Sequence, residues 1–222
     1  MKSMHVPEIK AIIFDMDGTL VNTEPLHCQA WLHVLGKRGF HYDEDWFSQW
    51  IGKADRFLAQ GVVEERKLDM DPGVLQKEKE TLFHTLAEKE TQTFPGLEVL
   101  LAAAHGKIPM AIATNSSRKD AEKVFIPTQL DQWMEIVVTS DDVPNLKPAP
   151  DMYLLAAQKI GIAPEYCLVI EDSEAGARGA VAAGMYVLGV TSSIPAERMQ
   201  MCAELFPHPG EAYQRVSAII GY

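Results

Sequence analysis

The sequence predicts an α/β protein: a doubly wound parallel sheet, interrupted after its first strand by an inserted helical domain. Three observations carry this. Short apolar runs recur along the chain and each ends in polar residues; stretches of helical character separate them; and between Asp15 and Pro109 the alternation stops, leaving only helical segments. Strands covered on both faces have continuous rather than alternating apolarity, and helices between successive strands imply parallel pairing.

The first run, Ala11-Ile12-Ile13-Phe14, ends at Asp15. Helical segments are then expected at about 24–37, 55–68 and 72–89, the last opening on Asp71-Pro72, a helix-start pair. Phe94-Pro95-Gly96 punctuates the return to strand–helix alternation. Further strands are expected at Met110–Ala113, ending at Thr114; at Ile136–Val138, ending near Ser140; at Leu168–Ile170, ending at Glu171; and at Tyr186–Val190, ending at Thr191. The expected organisation is a Rossmann-like core over residues 1–20 and 93–222 and a helical domain over 21–92. Within the insert, Trp46, Phe47, Trp50 and Ile51 recur at helical spacing and are expected in its core. The charges at 64–67 and from Lys77 to Glu80 are expected on solvated helix faces.

Composition narrows the function classes. There are 31 acidic and 20 basic residues, a formal charge of −11, so neither nucleic acid nor an anionic membrane is an expected partner; both are bound chiefly through Lys and Arg clusters. Cys28, Cys167 and Cys202 are scattered with no C-x-x-C pair, which suggests no disulfide framework and no zinc site, and fits a reducing, cytoplasmic setting. Met1 to Lys10 lacks a signal-peptide pattern. The longest uncharged, largely apolar run, Gly179–Val190, falls short of the roughly 18 residues of a membrane span.

In a doubly wound sheet, ligands bind outside the carboxyl ends of the strands. The first strand delivers Asp15-Met16-Asp17-Gly18-Thr19, two carboxylates two residues apart with a glycine for a tight turn. Such a pair can hold a hard cation while one member acts as nucleophile or acid/base. The second strand delivers Thr114-Asn115-Ser116-Ser117 before a helix starting near Arg118: an anion site, or simply a helix cap. After the third comes Asn145-Leu146-Lys147-Pro148-Ala149-Pro150-Asp151, where two prolines restrict the backbone beside a cation. The fourth delivers Glu171-Asp172-Ser173; acids there, facing those of the first strand, would repel unless a cation lay between them. An all-oxygen donor set without a His-x-His or His-Glu-x-x-His pattern points to Mg²⁺.

In this order the four elements closely resemble the haloacid dehalogenase (HAD) superfamily, whose motifs are D-x-D-G-T, a Thr or Ser ending the second strand, a Lys before a proline-rich turn, and an acidic pair ending the fourth strand. The resemblance spans Ile12 to about Val190, and its specificity lies in the set. The insert looks like the helical cap of the family's subclass I. The resemblance implies that Asp15 is a nucleophile forming an aspartyl-phosphate and that Asp17 is the general acid/base. It implies that Thr114, Asn115 and Lys147 bind the phosphoryl group, and that the Asp15 side chain, the Asp17 carbonyl and Asp172 are Mg²⁺ ligands, with Glu171 a direct or water-mediated one.

Within the family the reading adopted is a phosphatase acting on small phosphorylated metabolites of sugar-phosphate type. The segment around His27 and the Lys147–Asp151 segment are similar to the β-phosphoglucomutase group, which keeps a phosphomutase as the alternative. That group carries a cap Arg three residues after a Gly to grip a second phosphate. Here Gly52 is followed by Lys53-Ala54-Asp55-Arg56, so Asp55 stands in that place. A carboxylate against a phosphate costs about 1 kcal/mol or more even when screened. His27 is either a core histidine or catalytic. A receiver-like, non-catalytic phospho-aspartate domain is the alternative outside enzymes; the length of the insert and Asp17 argue against it. A monomer is expected, because cap opening needs free space.

Overall fold

The computed structural model describes residues 6–51 and 55–221. In chain order the elements are β1 (Ala11–Phe14), α1 (Glu24–Gly36), α2 (Glu44–Ser48), α3 (Asp55–Glu65), α4 (Pro72–Glu90), α5 (Leu97–Ala104), β2 (Met110–Ala113), α6 (Arg118–Thr128), β3 (Ile136–Val138), α7 (Asp151–Ile160), β4 (Cys167–Glu171), α8 (Glu174–Ala182), β5 (Tyr186–Val190), β6 (Glu204–Phe206) and α9 (Pro209–Ile219). The chain divides into an α/β unit, Met1–Asn22 with Gln92–Tyr222, and a helical unit, Thr23–Thr91. No helix among the described residues is long and apolar enough to cross a membrane.

The α/β unit is the parallel sheet that the apolar runs predict, with strand order β3-β2-β1-β4-β5-β6. Alternation of side chains along each strand sorts them between two cores. Ala11 and Ile13 of β1 share one face with Ala111 and Ala113 of β2 and Cys167 and Val169 of β4, packed under Tyr153 and Ala156 of α7 and Ala177 and Ala180 of α8. Ile12 and Phe14 join Met110, Ile112, Leu168 and Ile170 on the other face, against Leu100 of α5, Val124 of α6 and Tyr213 of α9. Every residue of β1, β2 and β4 is buried, which is why these strands lack polar alternation. Strand β1 pairs with β2 on one side and β4 on the other, so the strand order reverses beside it, and ligands of doubly wound sheets bind at the carboxyl ends of such a switch point.

The structure adds one strand to the five expected. Strand β6 has three half-buried residues at the sheet edge, pairing Gly189 with Leu205, and is too short to leave a periodic signal. After β1 the chain closes a tight loop, with the Leu20 and Val21 amides both on the Met16 carbonyl. It leaves the sheet unit beside its own point of return: the Asn22 amide donates to the Gln92 carbonyl at 3.1 Å and the Phe94 amide to the Leu20 carbonyl at 3.0 Å.

The helical unit has its own core of Trp31, Leu35, Phe47, Leu58, Val62 and Leu75, with Trp46, Trp50 and Ile51 packed at its margin. Asp43 caps α2 through the Trp46 amide and Asp71 caps α4 through the Gly73 amide, with Pro72 in the first turn. Residues 64–67 are exposed, as expected.

Lys79 departs from the expectation of a solvated face, being only 1% exposed. It lies on the inward stripe of α4, Leu75-Lys79-Phe83-Ala87, with four-residue spacing. Its ammonium donates to Asp55 Oδ2 at 2.6 Å and to His27 Nδ1 at 2.5 Å. An accepting Nδ1 places the proton of a neutral imidazole on Nε2. Trp31 Nε1 donates to Asp55 Oδ1 at 2.8 Å, and Phe83 stacks on His27 with ring centroids 4.0 Å apart. Burial would raise the Asp55 carboxyl, but the Lys79 charge, with the Lys79 and Trp31 hydrogen bonds, holds it below the ordinary carboxylate range.

Breaking a buried ion pair on one side costs about 3–5 kcal/mol. The Asp55 side chain is 28% exposed, and solvent screening lowers the expectation for Asp55→Asn to about 2 kcal/mol, measured by urea unfolding at pH 7. A depressed carboxyl pKa stabilises the folded state above the unfolded value and ceases to as pH falls through the folded one. The gap between wild type and variant is therefore expected to be full at neutral pH and to narrow below about pH 4.

Candidate active site

Strand phase determines what meets at the carboxyl end of the sheet. The Asp15 amide continues the β1–β4 ladder by donating to the Ile170 carbonyl at 3.0 Å. Asp15 is therefore in phase with Ala11 and Ile13, and Glu171 with Cys167 and Val169. Both project to the face covered by α7 and α8. Lys147 reaches the same place from the turn before α7, and its ammonium donates to Asp15 Oδ1 at 2.5 Å and to Glu171 Oε1 at 2.6 Å. The backbone of Lys147 is fixed by its amide donating to Asn115 Oδ1 at 3.1 Å, and the Lys147–Pro148 peptide is cis.

Glu171 is fully buried and saturated. Its Oε1 also accepts from the Tyr153 hydroxyl at 2.8 Å, while its Oε2 accepts from the Ser173 amide at 2.8 Å and the Ser173 hydroxyl at 2.9 Å. Four donors fill what a carboxylate can accept.

Asp172, the next residue, faces the first loop instead. A β-carbon built on Gly18 would fall 2.0 Å from Asp172 Oδ2, so this carboxylate occupies the space a side chain at position 18 would need. Gly18 also has φ +81°, in the left-handed region, so the position excludes other residues twice over. Oxygens of Asp15, Glu171 and Asp172 lie within 4.8 Å of one another.

Asp17 stands apart from these three, with Oδ2 accepting from the Ser116 hydroxyl at 2.7 Å. Thr114 is buried and its hydroxyl accepts from the Ser116 amide at 3.0 Å, while Ser117 caps α6 through the Asp120 amide. The loop after β2 therefore holds both Asp17 and, through Asn115, the Lys147 backbone. Sequence reasoning had no means of picking Ser116 out of a run of hydroxyl residues, nor Tyr153 out of the apolar face of α7.

The charges are unbalanced. Three clustered carboxylates meet one ammonium. On the protein groups alone, burial pushes the Asp15 carboxyl up to about 8; Lys147 opposes this, and Glu171 and Asp17 add to it. Burial, with the Asp15 and Glu171 charges, likewise pushes Asp172 well up. Burial works against the Lys147 charge, yet the Asp15 and Glu171 carboxylates outweigh it and hold the ammonium well above the ordinary lysine value. A hard cation beside Asp15 and Asp172 would supply the missing positive charge, and the all-oxygen donor set suits one.

The chain matches the haloacid dehalogenase-like hydrolase family over residues 12–190. It belongs to that family. Among HAD relatives, the chain is 37% identical over 179 residues to the fructose-1-phosphate phosphatase YqaB of Escherichia coli, covering 81% of this chain and 95% of that protein. It is 28% identical over 194 residues to the beta-phosphoglucomutase of Bacillus subtilis, covering 84% and 85%. A HAD family hydrolase from Deinococcus radiodurans, solved with bound phosphate and sodium, superposes with a TM-score of 0.77 at 27% identity, covering 96% of this chain and 97% of that one.

Gly176 offers a test in which two effects have opposite sign. Replacing a helical Gly by Ala ordinarily stabilises by up to about 1 kcal/mol. Here the added carbon would lie 1.5 Å from Glu171 Oε1. Overpacking a buried site costs about 1–3 kcal/mol, so Gly176→Ala is expected to lower stability in denaturant unfolding, whereas Ala in place of the open Gly36 of α1 should not.

Proposed function

We propose that this HAD hydrolase is a Mg²⁺-dependent phosphatase of small phosphorylated carbohydrates, working through an aspartyl-phosphate on Asp15. The observation that carries the proposal is the division of labour between the two carboxylates of the first loop. Asp15 is held at 2.5 Å from the Lys147 ammonium in the charge cluster, while Asp17 is held outside it by Ser116. Groups whose environments differ in this way suit nucleophile and acid/base respectively.

In the first step an Asp15 oxygen attacks phosphorus and the bond from phosphorus to the sugar oxygen breaks, the leaving oxygen taking a proton from the Asp17 carboxyl. In the second, Asp17, now a carboxylate, removes a proton from water as it attacks the same phosphorus, releasing phosphate and restoring Asp15. Lys147, the Thr114 hydroxyl and Asn115 would position the phosphoryl oxygens, the main task in phosphoryl transfer. The Asp15 and Asp172 side chains and the Asp17 carbonyl would hold the cation, which when bound offsets charge on the phosphoryl oxygens. Glu171, with its acceptors filled, supports Lys147 rather than the cation in this reading.

Two observations support a phosphatase of sugar-phosphate type over a mutase. The Escherichia coli relative is named for fructose 1-phosphate. Asp55 stands where the mutase group has an arginine, and its carboxylate is committed to Lys79 and Trp31. Of the neighbouring residues, Gly52, Lys53 and Ala54 lie outside the described residues. The segment Thr23–Thr91 is the cap in this proposal. Conversion of glucose 1-phosphate to its isomer with a bisphosphate activator, outpacing phosphate release, would favour the mutase instead.

Asp15→Asn is expected to reduce phosphate release from fructose 1-phosphate by at least about a thousandfold, a loss typical of a removed nucleophile, with Mg²⁺ present. Removal of Mg²⁺ by chelation should abolish turnover of the wild type. Because the Asp15 and Asp172 carboxyls lie above their unfolded values, protons compete for the site up to about pH 8 and their loss destabilises the cation-free fold as pH rises. The rise in Tm on adding Mg²⁺ should thus be larger at pH 8 than at pH 5.5, and absent in Asp172→Asn.

A further inference from the structure

We propose that Tyr153 is a positioning residue for phosphoryl transfer: its hydroxyl orients Glu171, and Glu171 in turn sets the Lys147 ammonium against Asp15. The inference rests on the reading of Asp15 and Lys147 as the phosphoryl site.

Tyr153 is fully buried in the first turn of α7, six residues after Lys147. Phenylalanine would fill the same space without a polar atom to satisfy, so packing alone gives no reason for the hydroxyl. That hydroxyl reaches Glu171 Oε1 at 2.8 Å, the same oxygen that takes the Lys147 ammonium at 2.6 Å. The other oxygen is held locally, by the amide and hydroxyl of Ser173. Tyr153 is therefore the second donor that fixes where Oε1 sits and how strongly it attracts the ammonium. Without it, Oε1 has Lys147 as its one partner among the described residues, and the ammonium is drawn from Asp15 towards Glu171. Displacements of about 1 Å at a reacting centre can cost a hundredfold in rate.

The packing of α8 is consistent with a built constellation. A β-carbon on Gly176 would lie 1.5 Å from Glu171 Oε1, and one on Gly179 would lie 3.3 Å from Tyr153 Cε2 and 3.0 Å from the Ala149 carbonyl. Two glycines three apart thus let bare helix backbone close over Tyr153, Glu171 and the turn that carries Lys147.

The test is steady-state hydrolysis of fructose 1-phosphate with Mg²⁺ by Tyr153→Phe, with Tyr186→Phe as a matched control. Tyr186 makes the same kind of bond, to Glu204 Oε1 at 2.9 Å, at the amino-terminal end of β5. Tyr153→Phe is expected to lower kcat by about ten- to a hundredfold with KM changed less than about threefold, while Tyr186→Phe leaves both unchanged. Adding Tyr153→Phe to Glu171→Gln should cost less than about twofold further, because the hydroxyl acts through that carboxylate. A wild-type kcat in Tyr153→Phe, or a full additional loss on the Glu171→Gln background, overturns the positioning role. If Asp15→Asn or Lys147→Met retained wild-type turnover, the reading of the phosphoryl site would fail, and this inference with it. Inactive Asp15→Asn and Lys147→Met beside a fully active Tyr153→Phe would remove the inference alone.

Discussion

The carboxyl end of the sheet depends on one buried ammonium. Lys147 sits between Asp15 and Glu171, and the ammonium they share offsets the desolvation of two carboxylates that would otherwise repel each other. Four segments distant in sequence are thereby tied to one point: the loop after β1 through Asp15, the loop after β2 through the Asn115 contact, the turn before α7, and the end of β4. Such an arrangement is poor value as a stabilising device, since ion pairs of this depth often contribute less than apolar packing of the same volume. Its presence is better understood as fixing position.

Position follows from strand phase. The two-residue period that sends Ala11 and Ile13 to the core under α7 and α8 also sends Asp15 there, and the register that sets Ile13 beside Val169 brings Glu171 alongside. The next residue, Asp172, turns to the loop at Gly18. Two adjacent acids thus meet different neighbours, because successive residues of an extended backbone face different ways.

This logic explains what was legible in the sequence. The apolar runs located β1 to β5, and the polar residues ending them included Asp15, Thr114, Glu171 and Asp172; Lys147 was marked by its flanking prolines. The short edge strand β6 was not legible, because three half-buried residues have no period. Lys79 was misjudged by residue type, although its place in the stripe Leu75-Lys79-Phe83-Ala87 showed that it points inward. Its acceptors, Asp55 and His27, come from other segments of the unit, and long-range pairing of single polar residues leaves no local signal. For the same reason the partnership of Ser116 with Asp17, 99 residues away, needed the fold.

The stitch at positions 20–22 and 92–94 has a consequence for how such chains diversify. The sheet requires only that the chain depart and return at one point, which two backbone hydrogen bonds accomplish without regard to side chains. Closing a longer excursion is cheap, about 0.6 kcal/mol for each doubling of its length. The segment between can thus be lengthened, shortened or exchanged for another helical unit while the sheet keeps its register. A change in the inserted helices therefore need not disturb the backbone that carries Asp15 and Asp17.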